Sequence, residues 1–227
     1  LGAGWQINEH TAYGIELGAP GTRVSRFEVS IQIVRSLLDD ERTDFHGAFY
    51  DVSDAPCDPK PVQSKLPIVV GTGSPRMLRI TARHAQEWNV WGSADVARQR
   101  RADLVTACEA VGVDPATLHT SVQALVRLTD DPAEIERVAS GGMADRSMVG
   151  SNDRIVEELG AYRDLGFDEF IVPDFSLGAT AAERLDAYRR FNEEIAPQLP
   201  RTVSGAAGPH GRVDIHLTVF DNPNSVR

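Results

Sequence analysis

The sequence predicts an α/β fold built on a parallel β-sheet, and three observations favour it. Short apolar runs rich in Val and Ile, which are typical of buried strands, recur along the chain. Longer segments with helically spaced apolar residues alternate with those runs, and no heptad repeat or low-complexity run interrupts them. This alternation is typical of a parallel sheet with right-handed crossovers, either an open doubly wound sheet or a closed barrel.

The first elements precede the regular alternation. Residues 22–40 predict a helix from the spacing of their apolar side chains, and Ser25 with Glu28 matches the Ser-x-x-Glu capping pattern, although the helix has room to begin earlier. Residues 46–52 predict a small hairpin arm. The proline-rich segment 54–67 predicts an extended surface loop, because proline removes backbone donors.

The regular alternation starts with "PIVVG", a short apolar run at residues 67–71 that predicts a buried strand. Ser74 and Pro75 then predict a helix start, as N-cap and first helical residue, and the helix is expected to run to about Ala85. The remaining predicted elements are a strand at 87–92, a helix from Ser93 to about Val111, a strand at 118–128, a mobile charged stretch containing Gly141 and Gly142, a helix at 151–166, a strand at 167–175 and a helix at 178–200.

The last part of the chain departs from this rhythm. Residues 201–227 predict a Gly/Pro linker followed by "VDIHLTVF", whose alternation indicates either an edge strand or a loosely attached tail. No functional role follows from this segment.

Composition and charge exclude several classes of function. A formal net charge of −10 and a sequence pI near 5.0 disfavour nucleic acid and anionic membranes as partners, because both attract a basic surface. Two cysteines, Cys57 and Cys108, have neither the number nor the spacing of a disulfide framework or a zinc site. No membrane-spanning run or signal peptide is recognisable, so a cytoplasmic protein is expected.

A candidate anion site follows the 67–71 strand. In the sequence Gly71-Thr72-Gly73-Ser74-Pro75, backbone N–H groups at a helix start converge on a point outside the sheet, where phosphate binds well. The hydroxyls of Thr72 and Ser74 add donors, and Arg76 or Arg79 supplies a positive charge. The alternative is that the glycines only permit a tight turn, because neither the Walker pattern nor the Rossmann fingerprint is present.

"LGAGW", at residues 1–5, reads as the end of a strand and is a second candidate. Gly2 and Gly4 leave room for a flat ring there, unless they mark a bulge or a bend. Trp5, Trp88 and Trp91 follow strands, and each either borders a planar ligand or packs in the core. No histidine or carboxylate spacing indicates a metal site, and no catalytic acid, base or nucleophile is identified.

Five segments together resemble the luciferase-like monooxygenase family, in particular its branch that uses the deazaflavin coenzyme F420. They are "LGAGWQINEHTAYGI", "RVSRFEVSIQIVRSLL", "FHGAFYDVSDAPCDPKPVQ", "PIVVGTGSPRMLRITARHAQEWN" and "VGSNDRIVEELGAYRDLGFDEFIV". The resemblance covers residues 1–200, and the "APC-x-PKPVQ" loop with the strand and glycine loop after it is its most specific part. It implies a (β/α)8 TIM-type barrel that binds flavin or deazaflavin at the carboxyl ends of its strands.

The resemblance also implies roles for residues. The residues implied to bind the cofactor are Gly71, Thr72, Gly73 and Ser74 around the phosphate, Gly2, Ala3 and Gly4 beneath the ring, and Trp88 and Asn89 on the neighbouring strand. Arg76 is added to this set for its charge beside the loop. Gly73→Val is expected to weaken cofactor binding and spare the fold. Sugar-phosphate dehydrogenases of this family carry a glutamate where this chain has Trp5, which disfavours that chemistry.

The resemblance implies an oxidoreductase that transfers hydride to, or oxygenates, a small organic substrate with reduced F420; FMN is the alternative cofactor. About five of the eight barrel strands are recognisable, so an N-terminally truncated barrel is expected. The alternative function is an inactive chain acting only as a binding or assembly module. Open edges of a parallel sheet favour pairing with another chain, so a homodimer is an expected partner arrangement.

Overall fold

The computed structural model describes residues 1–199 and the backbone of residues 214–218. Its helices are α1 (Ile7–Ala12), α2 (Pro20–Asp39), α3 (Pro75–His84), α4 (Ala94–Glu109), α5 (Pro132–Ala139), α6 (Asn152–Asp164) and α7 (Ala181–Arg190), the last continued by a π-helical turn at Phe191–Ile195. Its strands are β1 (Thr43–His46), β2 (Asp51–Ala55), β3 (Val69–Gly71), β4 (Glu87–Trp91), β5 (His119–Gln123), β6 (Leu125–Leu128), β7 (Ser147–Gly150), β8 (Glu169–Pro173) and β9 (Asp214–Thr218).

A five-stranded parallel sheet in the order β3-β4-β5-β8-β9 organises the molecule. Its register places Gly71 opposite Asn89, and Asn89 opposite Ser121. Helices α3, α4 and α6 lie between successive strands of the chain, as the alternation predicts. Because all strands run the same way, the carboxyl ends of β3, β4 and β5 lie at one edge, where the connecting loops lie close together.

Apolar side chains on one face of the sheet form the main core. Trp88, Val90 and Val122 project from β4 and β5 and are almost completely buried with Leu104 of α4 and Tyr162 of α6. Alternation along the strands puts these residues on the same face, since successive side chains point to opposite faces. Each large side chain buried in this way contributes roughly 1.5–3 kcal/mol of transfer free energy.

A smaller apolar cluster joins α2 to β3 and α3. It contains Phe27 and Ile31 of α2, Val70 of β3, and Met77 and Ile80 of α3. The predicted helix at 22–40 is therefore confirmed as α2, and its apolar side chains pack against the first strand of the sheet.

The capping prediction for α2 is wrong. The helix begins at Pro20, so Ser25 lies inside its second turn, where its hydroxyl donates to the carbonyl of Gly21 at 3.1 Å. Proline at the first position, with fixed φ and no N–H group to satisfy, starts this helix instead.

The predicted strand at 118–128 is two strands with different partners. β5 pairs with β4 and β8, whereas β6 pairs with β7, and the buried residue Ala124 separates the two. Where the pairing changes from β5 to β6, the Ser176 hydroxyl accepts the N–H of Val126 at 3.0 Å. A side chain thus satisfies this backbone donor in place of a neighbouring strand.

The stretch predicted to be mobile contains regular structure. The Asp131 side chain accepts the N–H of Ala133 and caps α5, and Ser147–Gly150 pairs in parallel with β6. Sequence reasoning missed β7 because four residues are too few to show a period.

The two ends of the chain differ from their predictions. Residues 1–6 form no regular strand, although the amino group of Leu1 donates to the Val69 carbonyl at 2.7 Å. At the other end, β9 pairs in parallel with β8 and occupies the edge of the sheet, as one of the two alternatives predicts. The rest of segment 201–227 lies outside the described residues.

The predicted hairpin arm is confirmed as the antiparallel pair β1-β2. Within residues 1–199 and 214–218, no helix combines the length and apolarity that a membrane span needs.

Candidate functional site

The glycine loop, residues 71–75, connects β3 to α3 at the carboxyl edge of the sheet. Neither Gly71 nor Gly73 has a positive φ, so the backbone conformation itself does not require glycine there. A Cβ atom added at Gly71 meets nothing within 4 Å. The missing side chain therefore leaves open space beside the backbone, which permits close approach of a ligand.

The start of α3 offers hydrogen-bond donors to that space. Pro75 occupies the first helical position, no described side chain caps the first turn, and no acidic residue lies in it. The Ser74 N–H donates to Thr72 Oγ1 at 3.4 Å, which leaves the hydroxyl proton of Thr72 free to donate. An uncapped helix start of this kind attracts anions.

Trp88 supports the glycine loop from the core. Its indole N–H donates to the Thr72 carbonyl at 2.9 Å, and its ring stacks on Phe167 with centroids 6.0 Å apart. The side chain is completely buried. The structure therefore corrects the expectation that Trp88 borders the cofactor, because a side chain without exposed surface lines no ligand site.

Asn89 lies on the opposite face of β4, in register with Gly71. Its amide nitrogen donates to Ser121 Oγ at 2.8 Å, and its amide oxygen accepts from Gln123 Nε2 at 3.0 Å. A row of linked polar groups thus runs from the glycine loop across the sheet. Sequence reasoning missed Ser121 and Gln123, although alternate polar positions in "EWNVW" and "HTSVQ" are a detectable signal.

The two arginines nearest the loop have different surroundings. Arg76 turns toward α2, where it donates to the Gly21 carbonyl, the Ser25 hydroxyl and Glu28 Oε2 at 3.0–3.3 Å. Arg100 of α4 instead donates from Nη1 to the Gly73 carbonyl at 3.2 Å. The guanidinium of Arg76 is therefore bonded to α2 and not to the loop, contrary to the expectation that it supplies the charge there. Arg79 shows no contact with the loop either.

The segment Gly2–Gly4 approaches the same strand through the bond from Leu1 to Val69. Ala3 packs against the smaller apolar cluster, and Gly4 has φ +81°, which favours glycine. Gly2 and Ala3 border a cleft of about 250 Å³ between this segment, α2 and the β1-β2 hairpin. His10, Arg23, Arg26 and Tyr50 also line that cleft.

A further cleft of about 320 Å³ lies among β6, α5 and β7. Its two arginines, Arg127 and Arg137, both contact Glu134, at 2.7 and 3.3 Å. The hydrogen bond from Arg127 holds the pKa of Glu134 below its ordinary value, so this carboxylate stays charged and offsets one of the two positive charges. The three side chains together keep one net positive charge in this cleft.

Shifted pKa values in the core reflect structure. Burial raises the pKa of Tyr162, whose hydroxyl donates to the Gly92 carbonyl at 2.8 Å. Burial also lowers the pKa of Arg101, whose guanidinium lies over the Phe167 ring at 5.5 Å. The partners of both groups lie outside the glycine loop. Within residues 1–199, no cluster of His, Cys, Asp and Glu has the arrangement of a metal site.

Two curated proteins are similar to this chain in sequence. The chain is 28% identical over 234 residues to an F420-dependent glucose-6-phosphate dehydrogenase of Microbacterium testaceum (strain StLB037), covering 88% of this chain and 67% of that protein. It is 26% identical over 212 residues to a phthiodiolone/phenolphthiodiolone dimycocerosates ketoreductase of Mycobacterium kansasii. That match covers 89% of this chain and 55% of the ketoreductase, so the chain spans only part of the curated relatives it matches.

The fold matches a solved F420-dependent secondary alcohol dehydrogenase in complex with an F420-acetone adduct. The TM-score is 0.67 over 88% of this chain and 68% of that one, at 14% identity. This confirms the predicted α/β barrel type of fold. The sequence model of the luciferase-like monooxygenases matches residues 1–147. The chain belongs to the luciferase-like monooxygenase family.

Proposed function

We propose that this chain is an oxidoreductase of its family that binds coenzyme F420, with the cofactor phosphate held in the glycine loop. The relatives named above include F420-dependent enzymes, which supports a deazaflavin over other redox groups. The substrate class is a small organic molecule that is reduced, oxidised or oxygenated. Trp5, in place of the glutamate of the sugar-phosphate enzymes, disfavours glucose 6-phosphate itself.

One observation carries the proposal: the open space at Gly71 lies beside the uncapped start of α3. A glycine that neither the backbone angle nor the packing requires is explained by a ligand that approaches the backbone. The loop is also held in place before any ligand arrives, by Trp88 at the Thr72 carbonyl and Arg100 at the Gly73 carbonyl. Such preorganisation lowers the entropy cost of binding.

The bound deazaflavin would supply hydride chemistry, and the protein would supply binding and orientation. The N–H groups at the start of α3 and the hydroxyl of Thr72 would donate to the phosphate. Asn89 is fixed at both ends of its amide by Ser121 and Gln123. Gln123 is partly exposed, and its amide oxygen would be available to orient a ligand on this face.

FMN is the second candidate, since it carries a phosphate that would bind in the same loop. The family is named for monooxygenases, which supports FMN as an alternative cofactor. Both cofactors would place a phosphate in the same loop, so their relative affinities distinguish them.

The test is a parallel titration of the purified chain with coenzyme F420 and with FMN, following ligand fluorescence and protein melting temperature. We expect saturable binding of F420 with a matching rise in melting temperature, because a ligand that binds only the native state stabilises it by about 2.7 kcal/mol at a hundredfold excess over Kd. Tighter binding of FMN would transfer the proposal to flavin. A folded sample that binds neither cofactor would overturn it and favour a binding or assembly role.

A further inference from the structure

Arg100 lies against the glycine loop although it is 27 residues away from Gly73 in sequence. Its Nη1 donates to the Gly73 carbonyl at 3.2 Å. A Cβ atom at Gly73 would lie only 3.3 Å from the Cζ and Nε atoms of the guanidinium. The planar head of Arg100 therefore packs flat beside Gly73, and a side chain at that position would displace it.

The guanidinium of Arg100 keeps most of its donors. Five N–H groups are available in arginine. The Gly73 carbonyl uses one of them, and the nearest carboxylate oxygen, Oδ2 of Asp103, lies 3.6 Å away with both side chains partly exposed. An ion pair at that distance and exposure is weak. Arg100 is thus a positive charge at the loop whose ion pair with Asp103 is long and weak.

Arg76 does not compete for this role. Three acceptors on α2 hold its guanidinium, including the Glu28 carboxylate at 3.2 Å. In a chain with a net charge of −10, a local cation at the loop matters because the overall field repels anions.

We propose that Arg100 contacts the cofactor phosphate and makes the site selective for the phosphorylated cofactor over its phosphate-free ring compound. This inference rests on the proposed function and names a residue that the family resemblance did not supply. The chemistry is a charge-assisted hydrogen bond from guanidinium to a phosphate oxygen, which is stronger than a neutral one. The Gly73 carbonyl orients the guanidinium for that contact.

The experiment compares two ligands with four proteins. Coenzyme F420 and the deazaflavin compound that retains the ring but lacks the phosphate are each titrated by ring fluorescence. The proteins are the wild type, Arg100→Gln, Arg100→Lys and Arg98→Gln. Arg98 is an exposed residue of the same helix, so its variant controls for the loss of one positive charge. Melting temperatures confirm that all four proteins fold.

We expect Arg100→Gln to weaken F420 binding about tenfold and to leave binding of the phosphate-free compound unchanged. Arg100→Lys should recover part of the selectivity, because it keeps the charge and loses the fork geometry. Arg98→Gln should match the wild type.

Two other results would overturn the inference, and they are distinguishable. Equal weakening of both ligands in Arg100→Gln would show that Arg100 only maintains the loop, while the proposed function would survive. A wild type that binds both ligands equally would show that the phosphate does not contact the loop. The role of Arg100 and the placement of the phosphate would then both fall, while F420 binding itself would stand.

Discussion

Two turns of this barrel share one sequence pattern, in which a short strand leads through glycine and serine into a helix. The glycine loop joins β3 to α3, and the turn at Gly92 and Ser93 joins β4 to α4. In the second turn the protein's own atoms fill the space. Gly92 donates to the Gln123 carbonyl and accepts from the Tyr162 hydroxyl, and Ser93 donates to the Asp145 carbonyl at 2.7 Å.

The space around Gly92 is also filled by side chains, whereas the space around Gly71 is open. A Cβ atom at Gly92 would lie 2.5 Å from Cγ1 of Val96, whereas one at Gly71 meets nothing within 4 Å. Asp95 places an acidic group in the first turn of α4, and α3 has none. The pattern alone thus predicts a turn. Whether the turn serves the core or a ligand depends on what occupies the space around it.

The largest expected effect is on stability at the closed turn. Gly92→Ala forces a methyl group against Val96 and should lower the free energy of unfolding by about 2–3 kcal/mol. Gly71→Ala is the matched control and should stay within about 0.5 kcal/mol of the wild type. Urea denaturation of both variants measures the difference, and equal stability of the two would contradict the distinction between the turns.

Tyr162→Phe removes the hydroxyl that satisfies the buried Gly92 carbonyl, and should cost about 1.5 kcal/mol. Because burial raises the folded-state pKa of Tyr162 above its unfolded value, the neutral phenol stabilises the fold fully below about pH 10, and this contribution is lost as pH rises further. The stability difference between wild type and variant should therefore shrink above about pH 10. Urea titrations from neutral to alkaline pH measure it, and a constant difference would argue against this account.

At the open turn the expected effect is on binding. Gly71→Val fills the open space and should weaken F420 binding at least about tenfold, roughly 1.4 kcal/mol, with the melting temperature unchanged. Fluorescence titration of the variant beside Gly71→Ala measures the dependence on side-chain size. Affinity equal to that of the wild type would mean that the ligand does not approach Gly71.

The smallest effect is expected at Arg76. Arg76→Gln removes its ion pair with Glu28, and since both side chains are partly exposed the loss should be below about 1 kcal/mol and should shrink at high salt. Cofactor affinity should not change. A large loss of affinity in this variant would restore Arg76 to the site and weaken the assignment to Arg100.

The fold could largely be predicted from the sequence because its signals are local. The strand at 67–71, the helix after Ser74 and the capped helix after Ser151 follow from apolar runs, proline and serine at fixed positions. Among the local signals, the capping pattern at Ser25 was misleading, because α2 begins earlier, at Pro20. The other main failure has a long-range cause. The split at Ala124 depends on a change of pairing partner, which no local pattern encodes.

For the candidate site, the sequence indicates the backbone loop but not the side chains that surround it. Gly71 to Ser74 were identified because a glycine loop after a strand is contiguous in sequence. Arg100 comes from another helix and reaches the loop only through the packing of α4 on α3. The sequence alone therefore indicates Arg76, which is adjacent to the loop, as the source of positive charge. Gly71→Val tests the approach of a ligand to the backbone more cleanly than Gly73→Val, because a side chain at Gly73 would also displace Arg100.

The most direct test of the central claim is a map of backbone amide chemical shifts by NMR during titration with coenzyme F420. The account predicts saturable shifts concentrated at Thr72, Gly73, Ser74 and Arg76, because the open space lies beside Gly71. The amides of Gly92 and Ser93 should not move, because both donate to carbonyls of the protein and Val96 fills the space beside Gly92. Shifts centred on the β6-α5-β7 cleft or on the Gly92 turn, with the glycine loop unchanged, would contradict it.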